Sequence, residues 1–229
     1  MEIIAHRGGS WNYIEHSWKA FEKSKDNKCT GIEFDIHFTK DNIPVINHDI
    51  DLNKIHKKEK IIKFENYESI KNNVLLLEEI LYFIDGNKTL FIEIKDNPNN
   101  IQLTIFINIM HNYLHNHSFK NKNLFYIMSY NYNVVKRLSL FFDVKYITFI
   151  TSCIYDIEIL EELIKNNYFS NICLSVDSLS NQMINILTCK NINIYIYTVN
   201  YLSLLNYIKE YFDNKNIKGI ITDNPSLFL

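Results

Sequence analysis

Short apolar runs alternate with amphipathic segments along most of this chain. Eight runs are rich in β-branched and aromatic residues, and each has the length of one strand. They are Glu2–His6, Gly31–Phe38, Thr89–Lys95, Leu124–Ser129, Val144–Ile150, Asn171–Val176, Asn193–Val199 and Gly219–Thr222. Most gaps between them carry apolar residues at helical spacing, as in Leu77, Ile80, Leu81 and Ile84. Eight strand–helix alternations predict a parallel (β/α)8 barrel, with a doubly wound open sheet as the alternative.

One segment after the second run departs from this alternation. Thr39–Asn42 has the composition of a turn, and Ile43–Asn47 predicts another strand. We therefore expect a β-hairpin that extends from the second barrel strand. The polar residues that follow lack a long hydrophobic period, so we predict an excursion of loop and short helix, at about residues 39–75, over the barrel mouth. Five of its lysines, which we expect to be solvated, with the gathering of an anionic substrate as the alternative, are Lys54, Lys57, Lys58, Lys60 and Lys63.

Length and charge limit the classes of function. A chain of 229 residues with 47% hydrophobic composition can bury one substantial core, so we predict a single domain over residues 1–229. A formal net charge of -2 provides no long-range attraction for nucleic acid. An anionic ligand must therefore be bound by a local cluster of cations.

The first residues and the hydropathy of the chain predict its location. Met1–His6 leads directly into a strand-like run without a basic leader and a long apolar region. We therefore expect no signal peptide and a cytoplasmic location. No stretch approaches the roughly 18 uninterrupted apolar residues of a membrane span, so we expect no stable membrane insertion. The sequence leaves the oligomeric state open.

Other possible metal ligands show no convincing spacing. The cysteines lack CxxC pairs, and we expect them to be reduced thiols. They are Cys29, Cys153, Cys173 and Cys189. Three histidines have an HxxxHxH spacing that could bind metal adventitiously, but their polar surroundings favour a solvated helix end. They are His111, His115 and His117.

Polar residues of three chemical kinds occur at the carboxyl ends of the predicted strands. They are His6, Arg7, Glu33, Asp35, His48, Glu93 and Lys95. An α/β barrel has its active site at this end of its strands. Two imidazoles suit proton transfer, three carboxylates suit a hard divalent cation, and a guanidinium with an amine suits a phosphate. The set therefore predicts a metal-dependent phosphodiester hydrolase.

The two carboxylates of the second strand carry the metal prediction. Glu33 and Asp35 lie two positions apart, so both side chains project to the same face of the strand. Ile32, Phe34 and Ile36 flank them and predict that this strand is buried. Two buried like charges repel each other unless a cation lies between them. We therefore expect a divalent metal at this face.

The third strand and the hairpin add further candidates. Glu93 and Lys95 place a carboxylate and an amine on one face, for which a structural ion pair is the alternative reading. His48 closes the hairpin strand and precedes Asp49, which could bond to it locally. His37 continues the face of the two carboxylates, and we expect a structural hydrogen bond at the barrel rim in preference to metal ligation.

An ordered set of motifs resembles the glycerophosphodiester phosphodiesterase family. The motifs are Ala5–Gly8, Gly31–Asp41, Pro44–Asp49, Leu77–Glu79, Phe91–Lys95, Thr198–Asn200 and Ile220–Pro225. Each motif is weak alone, but their order along the whole chain is specific. The resemblance implies a barrel enzyme that hydrolyses glycerophosphodiesters, as small-molecule substrates, to sn-glycerol 3-phosphate and an alcohol. It also implies a divalent metal ion, Mg²⁺ or Ca²⁺.

The resemblance also implies roles for individual residues. By resemblance, His6 and His48 form the acid/base pair. The implied metal ligands are Glu33, Asp35 and Glu93. The implied phosphate contacts are Arg7 and Lys95.

Two positions depart from the family pattern. Ile14–Ser17 replaces a usual Pro-Glu-Asn-Thr, which keeps Glu15 as a candidate substrate contact but puts His16 where an Asn supports the loop. Tyr197 replaces a Trp and still offers an aromatic wall for the glycerol or the alcohol.

Several alternatives stay open. A lysophospholipase D or a sphingomyelinase D-like phosphodiesterase would use the same fold, and a catalytically silent barrel could act as a binding protein. The excursion lacks a membrane-binding stripe, which favours a small soluble substrate. The contrary residues in it, which could line a short apolar ramp, are Ile55, Ile61, Ile62 and Phe64. The sequence does not determine the alcohol, the acid and base assignments, or whether water or the glycerol hydroxyl attacks.

Overall fold

The strands of the computed structural model occupy the apolar runs of the sequence. The structure describes residues 1–116, 125–152, 157–212 and 215–229. In these residues the strands are β1 (Glu2–Ala5), β2 (Gly31–Phe38), β3 (Pro44–Ile46), β4 (Asp51–Leu52), β5 (Lys58–Ile61), β6 (Leu75–Leu76), β7 (Thr89–Ile94), β8 (Phe125–Ser129), β9 (Ile147–Thr151), β10 (Asn171–Ser175), β11 (Asn193–Tyr197) and β12 (Ile217–Thr222).

Parallel pairing closes eight of these strands into a barrel. The order around the barrel is β1, β2, β7, β8, β9, β10, β11 and β12, and β1 pairs in parallel with both β2 and β12. Glycines permit close packing beside β1, because a Cβ at Gly219 would lie 2.8 Å from Ile4 Cδ1 and one at Gly31 would lie 2.9 Å from the Phe91 ring. The predicted (β/α)8 barrel is confirmed, since an open sheet would leave β1 without its second neighbour.

Helices connect the barrel strands. They are α1 (Trp18–Asp26), α2 (Asn53–His56), α3 (Tyr67–Ile70), α4 (Leu77–Ile84), α5 (Asn100–Asn116), α6 (Tyr132–Leu138), α7 (Ile157–Lys165), α8 (Asn181–Cys189) and α9 (Leu202–Tyr211). The apolar stripe predicted for α4 is fully buried. Short 3-10 turns occur at His6–Gly8, Ile62–Phe64, Val144–Tyr146, Val176–Ser178 and Pro225–Phe228.

The predicted hairpin and excursion follow β2. Strand β3 pairs antiparallel with β2 and with β6, while β4 and β5 form a separate antiparallel pair. At the hairpin tip, Thr39 Oγ1 donates to Asp41 Oδ1 at 2.6 Å and Asn42 adopts a left-handed φ of 66°. The excursion buries a small apolar cluster of its own, which consists of Val45, Leu52, Ile62, Ile70 and Val74.

Several strand boundaries differ from the predictions. Val144–Tyr146 is a 3-10 turn and the strand begins at Ile147, because the Asp143 side chain caps the turn by accepting from the Lys145 amide. Val176 likewise begins a 3-10 turn, which the Ser175 side chain caps. The predicted strand to Val199 ends at Tyr197. Leu124, the predicted start of another strand, lies outside the described residues.

The remaining predicted features are partly described. Cys29, Cys173 and Cys189 are free thiols, whereas Cys153 and His117 lie outside the described residues. Within the described part of the chain, no helix combines the length and apolar character that a membrane crossing needs.

Two apolar layers enclose the barrel wall. The larger cluster packs the outer face of the strands against the helices, for example Ile32 and Ile92 with Leu81. The interior cluster consists of Ile4, Phe91, Met128, Ile150, Cys173, Tyr195 and Ile221. Seven of the eight barrel strands each contribute one residue to it, and the side chains above this layer point into the barrel mouth.

Candidate active site

A pocket lies above the interior cluster, at the carboxyl ends of the barrel strands. It encloses about 100 Å³. One side, which we call the polar half, consists of His6, Arg7, Glu33, His48, Glu93 and Lys95. The other side, which we call the apolar half, consists of Met128, Tyr130, Ile150, Cys173, Tyr197 and Ile221, and Thr198 completes the lining. The predicted site residues thus meet at one place, with Asp35 buried beside them and Glu15 outside the lining of this pocket.

Strand register assembles the three carboxylates. Glu33 pairs with Phe91 and Asp35 pairs with Glu93 in the parallel β2–β7 ladder, so all of these side chains face the barrel interior. Each carboxylate offers an oxygen within 4.8 Å of the other two. Their residues are 2%, 1% and 6% exposed for Glu33, Asp35 and Glu93, so water screens the group poorly.

Burial and mutual repulsion shift the pKa values of these carboxyls. Burial, followed by the charges of Asp35 and Glu93, raises the pKa of Glu33 well above its usual range. Burial and Asp35 likewise raise the pKa of Glu93 to about 8. Burial also acts to raise the pKa of Asp35, but His16, Lys95 and His48 outweigh it and hold this pKa well below the usual range.

The carboxylate group therefore has the properties of a cation site. Lys95 Nζ supplies one positive charge, at 3.0 Å from Asp35 Oδ1 and 2.8 Å from Glu93 Oε1. The Arg7 guanidinium supplies a second, with Nε 3.9 Å from Asp35 Oδ2. Three buried carboxylates exceed these two charges. Hard oxygen donors at this spacing fit a divalent cation of the Mg²⁺ or Ca²⁺ type.

His6 is oriented by a residue that follows the last barrel strand. It begins the 3-10 turn that follows β1, and its Nδ1 lies 2.6 Å from Asp223 Oδ1, after β12. Asp223 also accepts from Ser10 Oγ at 2.9 Å and from Asn200 Nδ2 at 2.6 Å. Burial opposes the charge of Asp223, but these partners lower its pKa to about 2. The carboxylate thus fixes the ring so that Nε2 faces the pocket, 3.8 Å from Glu33 Oε2.

An aspartate also orients the ring of His48. Its Nδ1 lies 2.7 Å from Asp49 Oδ1, and its carbonyl oxygen lies 3.1 Å from His37 Nε2. The other ring nitrogen of His37 lies 3.1 Å from Asp96 Oδ2, so the predicted structural role of His37 as a hydrogen-bonding residue is confirmed. Burial, assisted by Lys95, lowers the pKa of His48 despite the nearby carboxylates. A lowered pKa favours the neutral imidazole that a general base requires.

Arg7 is held between two carboxylates. It adopts a left-handed φ of 50°, and its backbone N–H donates to Glu33 Oε2 at 2.9 Å. Its guanidinium donates to Glu15 Oε2 at 2.8 Å, while Lys54 Nζ lies 3.0 Å from Glu15 Oε1. Glu15 therefore contacts Arg7 and the excursion, and its role as a substrate contact stays a prediction.

Sequence reasoning missed three residues that touch this site. His16, singled out only as a departure from a loop motif, is buried with Nε2 at 3.2 Å from Asp35 Oδ2. Asp223 was part of a motif without an assigned role. Tyr130 follows β8 directly and lines the apolar half. Its position immediately after a strand was the one signal that could have selected Tyr130.

Comparison with protein-family models decides the family. Residues 6–227 match the model described as the glycerophosphoryl diester phosphodiesterase family. The chain belongs to this family. The matched range contains both halves of the pocket, so the resemblance found in the sequence is confirmed across nearly the whole chain.

Curated relatives of this glycerophosphoryl diester phosphodiesterase family member match shorter segments. A glycerophosphodiester phosphodiesterase of Bacillus altitudinis is 31% identical over 108 residues, which are 41% of this chain and 44% of that protein. The matched segment thus spans less than half of the relative's length.

Solved structures of the family share the fold over nearly the full chain. A glycerophosphodiester phosphodiesterase from Thermotoga maritima has a TM-score of 0.79 at 22% identity and covers 99% of this chain and 96% of its own. A phosphodiesterase from Oleispira antarctica, solved in complex with the product sn-glycerol-3-phosphate, has a TM-score of 0.84 at 17% identity and covers 99% and 94%. At these identities the likeness shows the barrel fold.

Proposed function

We propose that the chain is a divalent-cation-dependent phosphodiesterase that hydrolyses glycerophosphodiesters to sn-glycerol 3-phosphate and an alcohol. The observation that carries the proposal is the placement of His6 and His48 in one pocket with three buried carboxylates. Family membership and the product named for the Oleispira structure support the same reaction. The substrate would be a small molecule bound at the barrel mouth.

Glu33, Asp35 and Glu93 would hold the cation. Their three oxygen donors fit Mg²⁺ or Ca²⁺, and a bound ion of this kind supplies positive charge next to a non-bridging phosphate oxygen. His16 contacts Asp35, and the Arg7 backbone contacts Glu33, so this chain restrains the ligand carboxylates with its own hydrogen-bonding groups.

Arg7 and Lys95 would bind the phosphodiester. Both cations line the pocket, and both already face the carboxylate group, which limits their motion. A guanidinium and an ammonium positioned before the reaction stabilise negative charge that grows on the phosphoryl oxygens. Glu15 would position Arg7, since it accepts from the guanidinium at 2.8 Å.

His6 and His48 would transfer protons through Nε2. In each ring Nδ1 lies within 2.7 Å of an aspartate oxygen, Asp223 for His6 and Asp49 for His48, which leaves Nε2 for the substrate. One imidazole takes the proton from the nucleophile and the other protonates the departing alkoxide. Each such transfer contributes roughly 10²–10⁴ in rate. The lowered pKa of His48 suits it to the role of base.

Release of sn-glycerol 3-phosphate tests the proposal. We expect the purified chain to release it from glycerophosphocholine and glycerophosphoethanolamine. EDTA should abolish this release, and addition of Mg²⁺ or Ca²⁺ should restore it. His115→Ala, a change at an exposed histidine of α5, serves as the matched control for His6→Ala and should retain full activity. Release of free glycerol with a phosphorylated alcohol, or turnover that EDTA does not affect, contradicts the proposal.

Lysophospholipid cleavage is the second candidate. The observation that favours it is the apolar half of the pocket, which offers Met128, Ile150 and Ile221 to a carbon-rich substituent. We propose that the small soluble diester is preferred, because the excursion is rich in lysine and lacks the apolar stripe of a membrane-binding helix. A higher kcat/KM for the lysolipid than for the matching glycerophosphodiester would reverse this preference.

A cytoplasmic location and a single domain over residues 1–229 stay predictions of the sequence. So does the placement of the excursion over the mouth, for which the supporting contact is that between Lys54 and Glu15 beside Arg7.

A further inference from the structure

A histidine in the loop after β1 lies against one of the three buried carboxylates. His16 Nε2 is 3.2 Å from Asp35 Oδ2 and 3.4 Å from the backbone nitrogen of the same residue. Strand β1 pairs with β2 only as far as Ala5 and Ile32, so Asp35 lies beyond the end of that pairing. One imidazole nitrogen thus contacts both the main chain and the carboxylate of Asp35 where β1 no longer supports β2.

The backbone of the loop directs the imidazole towards Asp35. His16 adopts a left-handed φ of 57°, and its N–H donates to the Arg7 carbonyl at 3.0 Å. Ser17, the next residue, caps α1 by accepting from the Ala20 amide at 3.2 Å. A left-handed backbone is strained for a residue other than glycine and persists where neighbouring contacts enforce it. The hydrogen bonds on both sides of the ring supply that restraint.

The two nitrogens of the His16 ring are used unequally. The side chain is 3% exposed, and its Nδ1 is buried without a hydrogen-bond partner in the part of the chain that the structure describes. His37, also buried, uses both ring nitrogens, at 3.1 Å from Asp96 Oδ2 and 3.1 Å from the His48 carbonyl oxygen. Burial of a polar atom without a partner is unfavourable. The contact of Nε2 with Asp35 is therefore the property that an imidazole adds here over an apolar side chain.

Close packing does not account for the ring. His16 also lines a cavity of about 310 Å³ between the loop after β1 and the excursion, which is about three times the volume of the catalytic pocket. Ile14, Trp18 and Ile55 form other parts of its wall, whereas Asp35 does not contribute to it. The ring thus separates the buried carboxylate from an open space, and packing holds it less tightly there than in a filled core.

The length of the side chain decides which residue types can make the same contact. Histidine Nε2 and the amide atoms of glutamine are equally far from Cβ along the bonded chain, whereas the amide atoms of asparagine are one bond nearer. Asparagine therefore matches only the reach of the unpartnered Nδ1. From the position of His16, a glutamine can place a polar atom beside Asp35 and an asparagine cannot.

We propose that His16 is a positioning residue that holds Asp35, through Nε2, in the orientation that cation binding requires. It acts on the cation only through Asp35, as groups that support metal ligands commonly do. The inference rests on the proposed function, because the cation site that it serves consists of Glu33, Asp35 and Glu93.

Three replacements of His16 test this role through cation affinity. Calorimetry with Mg²⁺ or Ca²⁺, in the absence of substrate, measures the Kd of each variant. His16→Phe keeps a ring and removes both nitrogens, and His16→Asn keeps an amide with too short a reach, so each should raise the Kd by about tenfold or more. His16→Gln restores the reach and should leave the Kd within about threefold of that of the unaltered chain.

A role of His16 in packing alone predicts a different result. It would lower the Tm of the variants in EDTA and leave the cation Kd unchanged. His115→Phe, at an exposed histidine of α5, is the control and should not alter the Kd. A Kd within about twofold of the unaltered chain in His16→Asn overturns the inference, and so does a His16→Gln variant that binds as weakly as His16→Asn. This pair differs by one methylene group, so the comparison stands even where His16→Phe fails to fold.

Thermal melts in EDTA keep this result distinct from the proposed function. Without any cation, His16→Phe should change the Tm by a different amount in an Asp35→Asn chain than in the unaltered chain, because contacting side chains are coupled. A chain that binds neither Mg²⁺ nor Ca²⁺ but shows a difference of about 2 °C or more contradicts the proposed function and supports the restraint of Asp35 by His16. A smaller difference overturns the inference whatever the chain binds.

Discussion

The polar and apolar halves of the pocket come from opposite sides of one barrel and are built differently. The polar half belongs to β1, β2, β7 and the hairpin, which carry all three buried carboxylates and both pocket histidines. The apolar half belongs to β8 through β12, whose pocket residues, apart from Thr198, are aliphatic, sulfur-containing or phenolic. Within the described residues, each of the eight barrel strands contributes to one half or the other from the region of its carboxyl end.

The difference separates two requirements of the proposed reaction. Buried charges are costly unless each is paired, so the residues of the polar half constrain one another and tolerate little change. Lys95, for example, lies within 3.0 Å of both Asp35 and Glu93. The apolar half relies on packing and one phenolic hydrogen bond, so it can change in shape without unpairing a charge. We infer that the proposed chemistry depends on the polar half.

The largest expected effect is on cation binding in the polar half. Glu93→Gln removes one of three oxygen anions, and the loss of several kcal/mol of charge stabilisation should lower kcat/KM by about 10³-fold or more. Stability in EDTA should not fall, because the change also removes repulsion from Asp35. Activity assays with Mg²⁺ and thermal melts in EDTA check both outcomes, with Glu59→Gln at an exposed position as the control. Retained activity would remove Glu93 from the cation site.

A second effect concerns the two histidines. His6→Ala and His48→Ala should each lower turnover by at least about 10²-fold, while the variants stay folded and still bind the cation. The reason is that each ring faces the pocket through Nε2 and contributes little to the apolar core. Single-turnover rates and calorimetry with Mg²⁺ or Ca²⁺ separate the chemical step from cation binding. Turnover close to that of the unaltered chain would assign that ring a structural role.

A smaller effect is expected where a residue acts through His6. Asp223→Asn keeps the hydrogen bond but removes the charge that orients the imidazole, so kcat should fall about tenfold or more while KM changes little. A kcat close to that of the unaltered chain would limit Asp223 to holding the loop after β12.

The smallest effect on turnover belongs to the apolar half. Ile150→Ala should lower the free energy of unfolding by about 2–5 kcal/mol, because Ile150 is buried in the interior cluster. Its kcat for glycerophosphocholine should fall by less than about tenfold. Denaturant unfolding and steady-state kinetics measure the two quantities. A loss of kcat as large as that of the histidine variants would show that the halves are not separate in function.

The sequence predicted the polar half well because its signals are local. Glu33 and Asp35 share a strand face by spacing alone, and flanking isoleucines mark the strand as buried. The barrel followed from counting apolar runs, and the hairpin from one turn. The remaining contacts of the site form only when the barrel closes and brings distant residues together. His16 reaches Asp35 only because the loop after β1 folds back, and Tyr130 reaches Tyr197 only across two intervening strands.

Local capping limited the boundary predictions. Val144–Tyr146 has the composition of a strand, yet one hydrogen bond from the Lys145 amide to Asp143 turns it into a 3-10 turn. The hydrophobic pattern does not show which side chains cap the backbone, so it misses shifts of a few residues in a strand boundary.

The hydrogen bond between His6 and Asp223 has a consequence for synthesis of the protein. The two residues lie 217 positions apart, at the start and the finish of the barrel. The three carboxylates come from β2 and β7, in the first half of the chain, whereas the orienting partner of His6 follows the last strand. A chain that stops before residue 223 would therefore lack the group that orients the His6 ring, however much of the remaining barrel had formed.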